Sequence, residues 1–263
     1  MPARLTPVID DAAGLSALFA AVAGEKAIAL AVSGGADSLA LMVLAQRWAA
    51  SLAEAPDLIV YSVDHGLRPE AKSEVAMVVQ AAGALGLAAR GLAWTGAKPE
   101  TGRQEAARIA RYRLMGAAMV EDGATVLLTA HHQQDQAETV LMRMAHGSGI
   151  EGLKGMRADA EVEGVRVYRP LLDVDPDALR AVVDAAGLTP AEDPSNADPH
   201  YERVRWRQAM PQLAALGLDA GALALFADRM AEADAAIAQM ADGCFSEIVR
   251  LDGFGAARIE LAP

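Results

Sequence analysis

Between Lys26 and Pro170 short apolar runs of strand length alternate with longer stretches in which apolar residues recur every three or four positions. That alternation predicts an open parallel sheet flanked by helices. The strands fall at Ile28 to Val32, Leu58 to Val63, Ala88 to Trp94, Thr125 to Thr129 and Val165 to Arg169. The first helix, Ser38 to Trp48, turns Leu39, Met42, Val43 and Trp48 toward the sheet and follows its strand after a turn of a few residues. Ligands of such sheets bind outside the carboxyl ends of the strands, which directs attention to Ser33 through Asp37.

Beyond Pro170 the pattern changes. A helix through Leu179 to Ala186 leads into a Pro-, Asp- and Asn-rich loop from Pro190 to His200, and then into further helices. Leu223, Phe226, Met230, Ala233, Ile237, Met240 and Cys244 recur at alternating steps of three and four, a seam that calls for a partner helix and leaves open a homodimer through the C-terminal helices. Cys244 is expected to be a small core hydrophobe on that seam. Ile248 to Leu261, with Gly253 and Gly255 between apolar stretches, reads as a hairpin. The expected division is 1–207 for a catalytic domain and 208–263 for a helical linker and hairpin.

The 263 residues, 53% of them hydrophobic and 22% charged, suffice for a substantial core and exclude disorder as the main state. Met1 to Asp10 lacks a basic start and an apolar run, so the expectation is a cytoplasmic protein with no membrane partner. One cysteine excludes an internal disulfide, a CxxC pair and a cysteine-built metal cluster. The net charge of −12 argues against a non-specific nucleic-acid binder. The cations that exist are nearly all arginines, in runs at Arg103, Arg108, Arg111 and Arg113 and at Arg203, Arg205 and Arg207, the side chain suited to two-pronged phosphate contacts.

The most informative stretch is the strand followed by Ser33-Gly34-Gly35-Ala36-Asp37-Ser38 and a helix. Its glycines allow close backbone approach, and its hydroxyls and helix-opening amides offer donors to an anion. The loop lacks the Gly-Lys-Ser/Thr of a Walker A motif. Asp37 would repel phosphate unless a divalent cation bridged them, which predicts Mg²⁺ bound with a nucleotide and Asp37 as its protein ligand. Gly147-Ser148-Gly149-Ile150-Glu151-Gly152 satisfies GxGxxG but follows a helical run, so it is read as a helix stop and connector. Asp135 and Glu138 share a helix face, with His131 and His132 just before them. A metal triad of His131, Asp135 and Glu138 is weighed against oxygen ligands or acid–base groups in a Mg²⁺-ATP site, and the second is preferred.

The loop resembles that of the N-type ATP pyrophosphatases, whose members cleave ATP between the α and β phosphates and transfer AMP to an acceptor. That resemblance implies a doubly wound, Rossmann-like sheet of the adenine nucleotide alpha hydrolase type, followed here by a small helical segment. Asp64-His65-Gly66-Leu67-Arg68, the run Glu105 to Tyr112, Thr129 to Thr139, Arg169-Pro170-Leu171-Leu172 and Asp193-Pro194-Ser195-Asn196 together resemble the ordered motifs of the tRNA(Ile)-lysidine synthetase family. Membership implies ATP and Mg²⁺ as cofactors, with tRNA(Ile) bearing a CAU anticodon and free L-lysine as partners. ATP would lie against Ser33 to Ser38, Val63 and His65. Asp37, Asp135, Glu138 and Arg111 would carry the chemistry, and His131, His132, Arg68, Arg108, Arg203, Arg205 and Arg207 would meet lysine or RNA. The two carboxylates are expected to hold the lysine ammonium and take its proton, with the division of roles open, while Arg111 and Arg108 neutralise phosphate or contact RNA. Where the family has Arg-Asn, this chain reads Arg203-Val204-Arg205-Trp206-Arg207. The family also continues further at its C-terminus, so the chain reads as a shortened one. The competing readings are a cytidine thiolase, disfavoured by the single cysteine, a small-molecule synthetase, and a nucleotide-binding sensor.

Overall fold

The computed structural model describes residues 9, 11–67, 69–96, 98–191, 198–251, 254 and 256–259. Arg68, Asp193-Pro194-Ser195-Asn196, Gly253 and Gly255 lie outside these described residues. In chain order the elements are α1 (Ala12–Phe19), β1 (Ala27–Ala31), α2 (Ala36–Ala50), β2 (Asp57–Asp64), α3 (Ala71–Ala84), β3 (Ala88–Ala93), α4 (Arg103–Asp122), β4 (Val126–Leu128) and α5 (Gln133–Ala145). There follow α6 (Ile150–Leu153), β5 (Asp159–Val162), β6 (Val165–Tyr168), α7 (Pro176–Ala185), α8 (Glu202–Ala215), α9 (Ala220–Ile248), β7 (Val249–Leu251) and β8 (Ala257–Ile259).

The six-stranded sheet has the order β3-β2-β1-β4-β6-β5. All neighbours are parallel except β5, which runs antiparallel to β6. The chain moves outward from β1 to β3 and then returns to place β4 on the other side of β1. Order therefore reverses between β1 and β4, where an open α/β sheet forms a crevice at its carboxyl edge.

Period-two alternation divides the core. Ile28, Leu30, Val60, Val126 and Leu128 face one side, packed by α2, α3 and α7, while Ala29, Tyr61, Leu127 and Val167 face the other, packed by Tyr112, Met115, Ala118 and Met119 of α4. Helix α2 is apolar on most sides because α1 and α7 cover the face it turns away from the sheet, and Trp48 stacks on Phe19 at 4.8 Å. A third, smaller cluster joins Ala137, Val140 and Leu141 of α5 to Met210 of α8 and Leu223 and Ala227 of α9.

The five expected strands are present with ends shifted by about one residue. The sixth, β5, is an addition: its sequence Asp-Ala-Glu-Val is too polar to register as a core strand because it lies at the sheet edge. Glu163 and Gly164, both with positive φ, make the two-residue turn into β6. The C-terminal hairpin forms as β7 and β8. The Gly147 to Gly152 stretch ends α5 and opens the single turn α6, with no preceding strand.

Two expectations change on α9. Its seam is covered by α5 and α6 only in its first half, and every residue from 235 to 248 is exposed, including Ile237, Met240 and Phe245. Cys244 lies on that exposed half and is not a core residue. The expected boundary after residue 207 falls inside α8. Among the described residues no single helix is long and apolar enough to cross a membrane.

Candidate active site

The loop after β1 holds its shape through one hydroxyl. Ser38 Oγ accepts hydrogen bonds from the amides of Ser33 and Gly34, both at 3.2 Å, and donates to the Gly35 carbonyl at 2.9 Å. The Ser38 hydroxyl, expected as a donor to an anion, is therefore engaged within the loop together with the Ser33 and Gly34 amides. The amides that open α2 have no partner within the helix and remain available to an anion, favoured by the helix dipole. Gly34 is required by its backbone conformation. Its φ of +95° is left-handed, and a Cβ there would lie 3.1 Å from Met77 Cε of α3. Its carbonyl accepts from Ala191 at 2.9 Å, tying the loop to the segment after α7.

Above the carboxyl ends of β1, β2 and β4 opens a cavity of about 500 Å³. Ser33, Gly35, Asp37 and Ser38 line it from the loop, Val63 and His65 from the end of β2, Arg111 from α4, His131 and Asp135 from the start of α5, and Arg203 and Arg207 from α8. Its features suit a nucleotide. Arg111 is exposed at the cavity wall, with enough protein around it to push its pKa down by desolvation, and among the described residues it has no carboxylate partner. A guanidinium remains protonated under such conditions, so it is a cation without a carboxylate partner among the described residues, facing an anion-sized space. His65 Nδ1 is a buried polar atom without a partner at the same cavity, available to a nucleobase or ribose.

The acidic side is organised by His132. It caps α5, accepting the Gln134 amide on Nδ1 at 3.2 Å, while its own amide donates to Asp135 Oδ2 at 3.1 Å, closing a capping box. Its Nε2 lies 3.5 Å from both Asp37 Oδ2 and Asp135 Oδ2. Burial opposes charge on this ring, but the Asp37 hydrogen bond and the surrounding carboxylates outweigh burial and raise its pKa. His132 is 5% exposed and lines neither this cavity nor the second one described below, and its ring lies between the two aspartates. Glu138 is also turned inward. It is fully buried, with Arg207 Nε at 2.7 Å from one oxygen and Nη2 at 3.2 Å from the other. Arg203 reaches the same carboxylate at 3.5 Å and donates to Thr139 Oγ1 at 3.1 Å. Arg205 points away, donating to the carbonyls of Pro199 and His200. Val204, at the position of the family's asparagine, is buried.

His131 and Arg203 also line a second cavity, of about 620 Å³, with Arg108, Arg143, Lys154, Arg157 and Arg169. His131, Arg108, Arg203 and the Arg169-Pro170 motif were visible in the sequence as signals for it. Arg143, Lys154 and Arg157 come from separate segments with no shared pattern, Arg143 being fixed by the carbonyls of Gly152 and Gly155. His131 pairs its Nδ1 with Thr129 Oγ1 at 2.9 Å. Burial, helped by Arg169, Arg203 and Arg111 and opposed by Asp135, lowers its pKa to about 4.

The unfolded chain, with a histidine near 6.5, takes up this proton first. Stability is therefore full above about pH 6.5 and is lost as pH falls toward 4, by about 2 kcal/mol between pH 6.5 and 5. Urea unfolding at both pH values should show His131→Gln lacking about that part of the decline; an identical pH dependence in the two proteins would remove His131 as its source.

A metal triad of His131, Asp135 and Glu138 does not form, since Glu138 is committed to arginines, and among the described residues no three His, Cys, Asp or Glu side chains cluster as a metal site. Asp37 with phosphate oxygens remains a fit for Mg²⁺ carried in by a nucleotide.

A crevice at the sheet's switch point, a serine-locked glycine loop and an uncompensated arginine define a nucleotide-binding protein of the PP-loop class, and a family model described as PP-loop domain matches residues 9–213. The tRNA(Ile)-lysidine synthase of Rhodopseudomonas palustris is 52% identical over 89% of this chain and 68% of its own length. That of Bradyrhizobium sp. strain BTAi1 is 50% identical over 89% of this chain and 65% of its own. The chain belongs to the tRNA(Ile)-lysidine synthase family of PP-loop ATP pyrophosphatases, and spans about two thirds of the length of these curated relatives. Among solved structures, the U34-tRNA thiolase NcsA of Methanococcus maripaludis, described with its 4Fe-4S cluster, matches with a TM-score of 0.67 over 83% of this chain and 77% of that one at 17% identity, a likeness of fold.

Proposed function

We propose that this chain is a cytoplasmic ligase that converts the wobble cytidine of a CAU-anticodon tRNA(Ile) to lysidine, with ATP, Mg²⁺ and free L-lysine as co-substrates. Residues 1–207 carry the chemistry in this reading, and 208–263 begin a tRNA-binding region. The observation that carries it is the pairing of Asp37 and Asp135 on one wall of the loop cavity, held through His132, with Arg111 uncompensated on another. A passive nucleotide sensor would gain nothing from carboxylates beside phosphate.

In the first step the cytidine carbon-2 oxygen attacks the α phosphorus and pyrophosphate leaves. The α2 amides and Arg111 hold the phosphates, and Asp37 would hold a Mg²⁺ that, when bound with the nucleotide, would neutralise charge on them. In the second step the lysine ε-amine attacks carbon 2, the carbon–oxygen bond breaks and AMP departs. At pH 7 an amine of pKa near 10.4 is neutral in only about four molecules per ten thousand, so the ammonium must first lose a proton. Of Asp135 and Glu138, Asp135 is the one that faces the cavity and accepts it. The second, arginine-lined cavity suits the lysine α-carboxylate, and His131 at the junction faces both reactants.

The test is release of AMP and pyrophosphate with Mg²⁺ and labelled lysine, with and without the CAU-anticodon tRNA(Ile). Release that requires RNA, with lysine entering the RNA, is expected. Release without RNA would instead indicate a small-molecule acceptor.

A further inference from the structure

The Glu138–Arg207 pair links α5 to α8, and it separates two carboxylates that their sequence spacing makes look equivalent. Asp135 lines the nucleotide cavity; Glu138, one turn on, lines neither cavity and is fully buried. Both its oxygens are taken by Arg207, whose Nε and Nη2 grip it from the side. A proton acceptor in that position has no path to a substrate amine. Arg207 itself is 39% exposed and lines the nucleotide cavity with Asp37 and Arg111. A guanidinium held by one edge keeps the N–H donors of its other edge, and these are the donors left to the cavity. Removing Arg207 would leave the fully buried Glu138 with Arg203 alone at 3.5 Å, and removing Glu138 would free the Arg207 side chain to swing, so the pair holds both members in place.

We infer that Glu138 is a positioning residue that aims Arg207 at the nucleotide phosphates, and that Arg207 is the group making contact with substrate. Glu138 thus belongs to adenylation and not to deprotonation of lysine. The inference rests on the cavity being the ATP site proposed above.

Glu138→Gln and Arg207→Lys test it in two measurements: binding of a non-hydrolysable ATP analogue with Mg²⁺, and the KM for L-lysine in RNA modification. Both variants should weaken analogue binding at least tenfold and leave the lysine KM within twofold. The double variant should be no worse than the weaker single, because the two residues act as one unit. A lysine KM raised tenfold with unchanged analogue binding would overturn the inference and make Glu138 the ammonium holder. A lowered melting temperature with both constants unchanged would overturn it in favour of a purely structural staple. If Glu138→Gln fails to fold, Arg207→Lys, which keeps the charge beside Glu138, gives the same split. Failure of the lysidine reading would appear in the wild-type protein as absent RNA-dependent pyrophosphate. Analogue binding would then decide, and unweakened binding in the folded variants would overturn the inference.

Discussion

Replacing Asp37 by alanine should slow RNA-dependent pyrophosphate release by about 10²- to 10³-fold at saturating ATP, corresponding to roughly 3–4 kcal/mol of lost transition-state stabilisation. The reason lies in position. Asp37 sits in the first turn of α2, with 45% of its side chain exposed toward the cavity, and it is the carboxylate closest to the helix-opening amides that would hold phosphate. Two charges of the same sign within one anion site are tolerable only with a cation between them, so the loss should be accompanied by a higher Mg²⁺ requirement. The fold should survive, because α2 takes no side-chain cap from Asp37 and the loop is locked by Ser38. A magnesium titration of pyrophosphate release checks this; an alanine variant with full activity and an unchanged magnesium midpoint would exclude Asp37 as the metal ligand.

Asp135→Asn is expected to act on the other half of the reaction. Lysine incorporation should fall by about 10²- to 10⁴-fold, the range for removing a placed proton acceptor. Pyrophosphate release without lysine should fall far less. Asparagine keeps an oxygen for the His132 amide, so the capping box persists and α5 still begins at Gln133. Adenylated RNA should then accumulate, and quenched time courses that follow both labels would reveal it. Equal slowing of both steps would mean that Asp135 serves the nucleotide and that the proton leaves elsewhere.

The parallel sheet was legible because its central strands β1 and β4 are buried on both faces and read as apolar runs, and the nucleotide loop because glycine, serine and a following helix leave few alternatives. Strand β5 was not, since an edge strand alternates too weakly to rise above its surroundings; only the Glu163-Gly164 turn marked it. The site was legible as a set of residues but not as a set of directions. His131 and His132 are adjacent, yet one faces both cavities and the other is turned into the fold to cap α5. Asp135 and Glu138 share a helix face, yet Arg207 from α8 takes one of them out of solvent. That pairing spans 69 positions, and no local spacing encodes it. Cys244 shows the converse failure: an apolar repeat implies a covering surface, and the repeat continues beyond the point where α5 and α6 stop supplying one.

Helix α5 has a double attachment whose effect is mechanical. Its first residues are fastened to the nucleotide loop through His132 and Asp37, while Ala137, Val140 and Leu141 lie against α8 and α9. Thirteen residues at 1.5 Å each make a strut about 20 Å long. A push on α9 is therefore delivered to the aspartates by a stiff rod and not through a flexible loop. The helical end of the molecule and the loop after β1 are thus joined by one continuous helix.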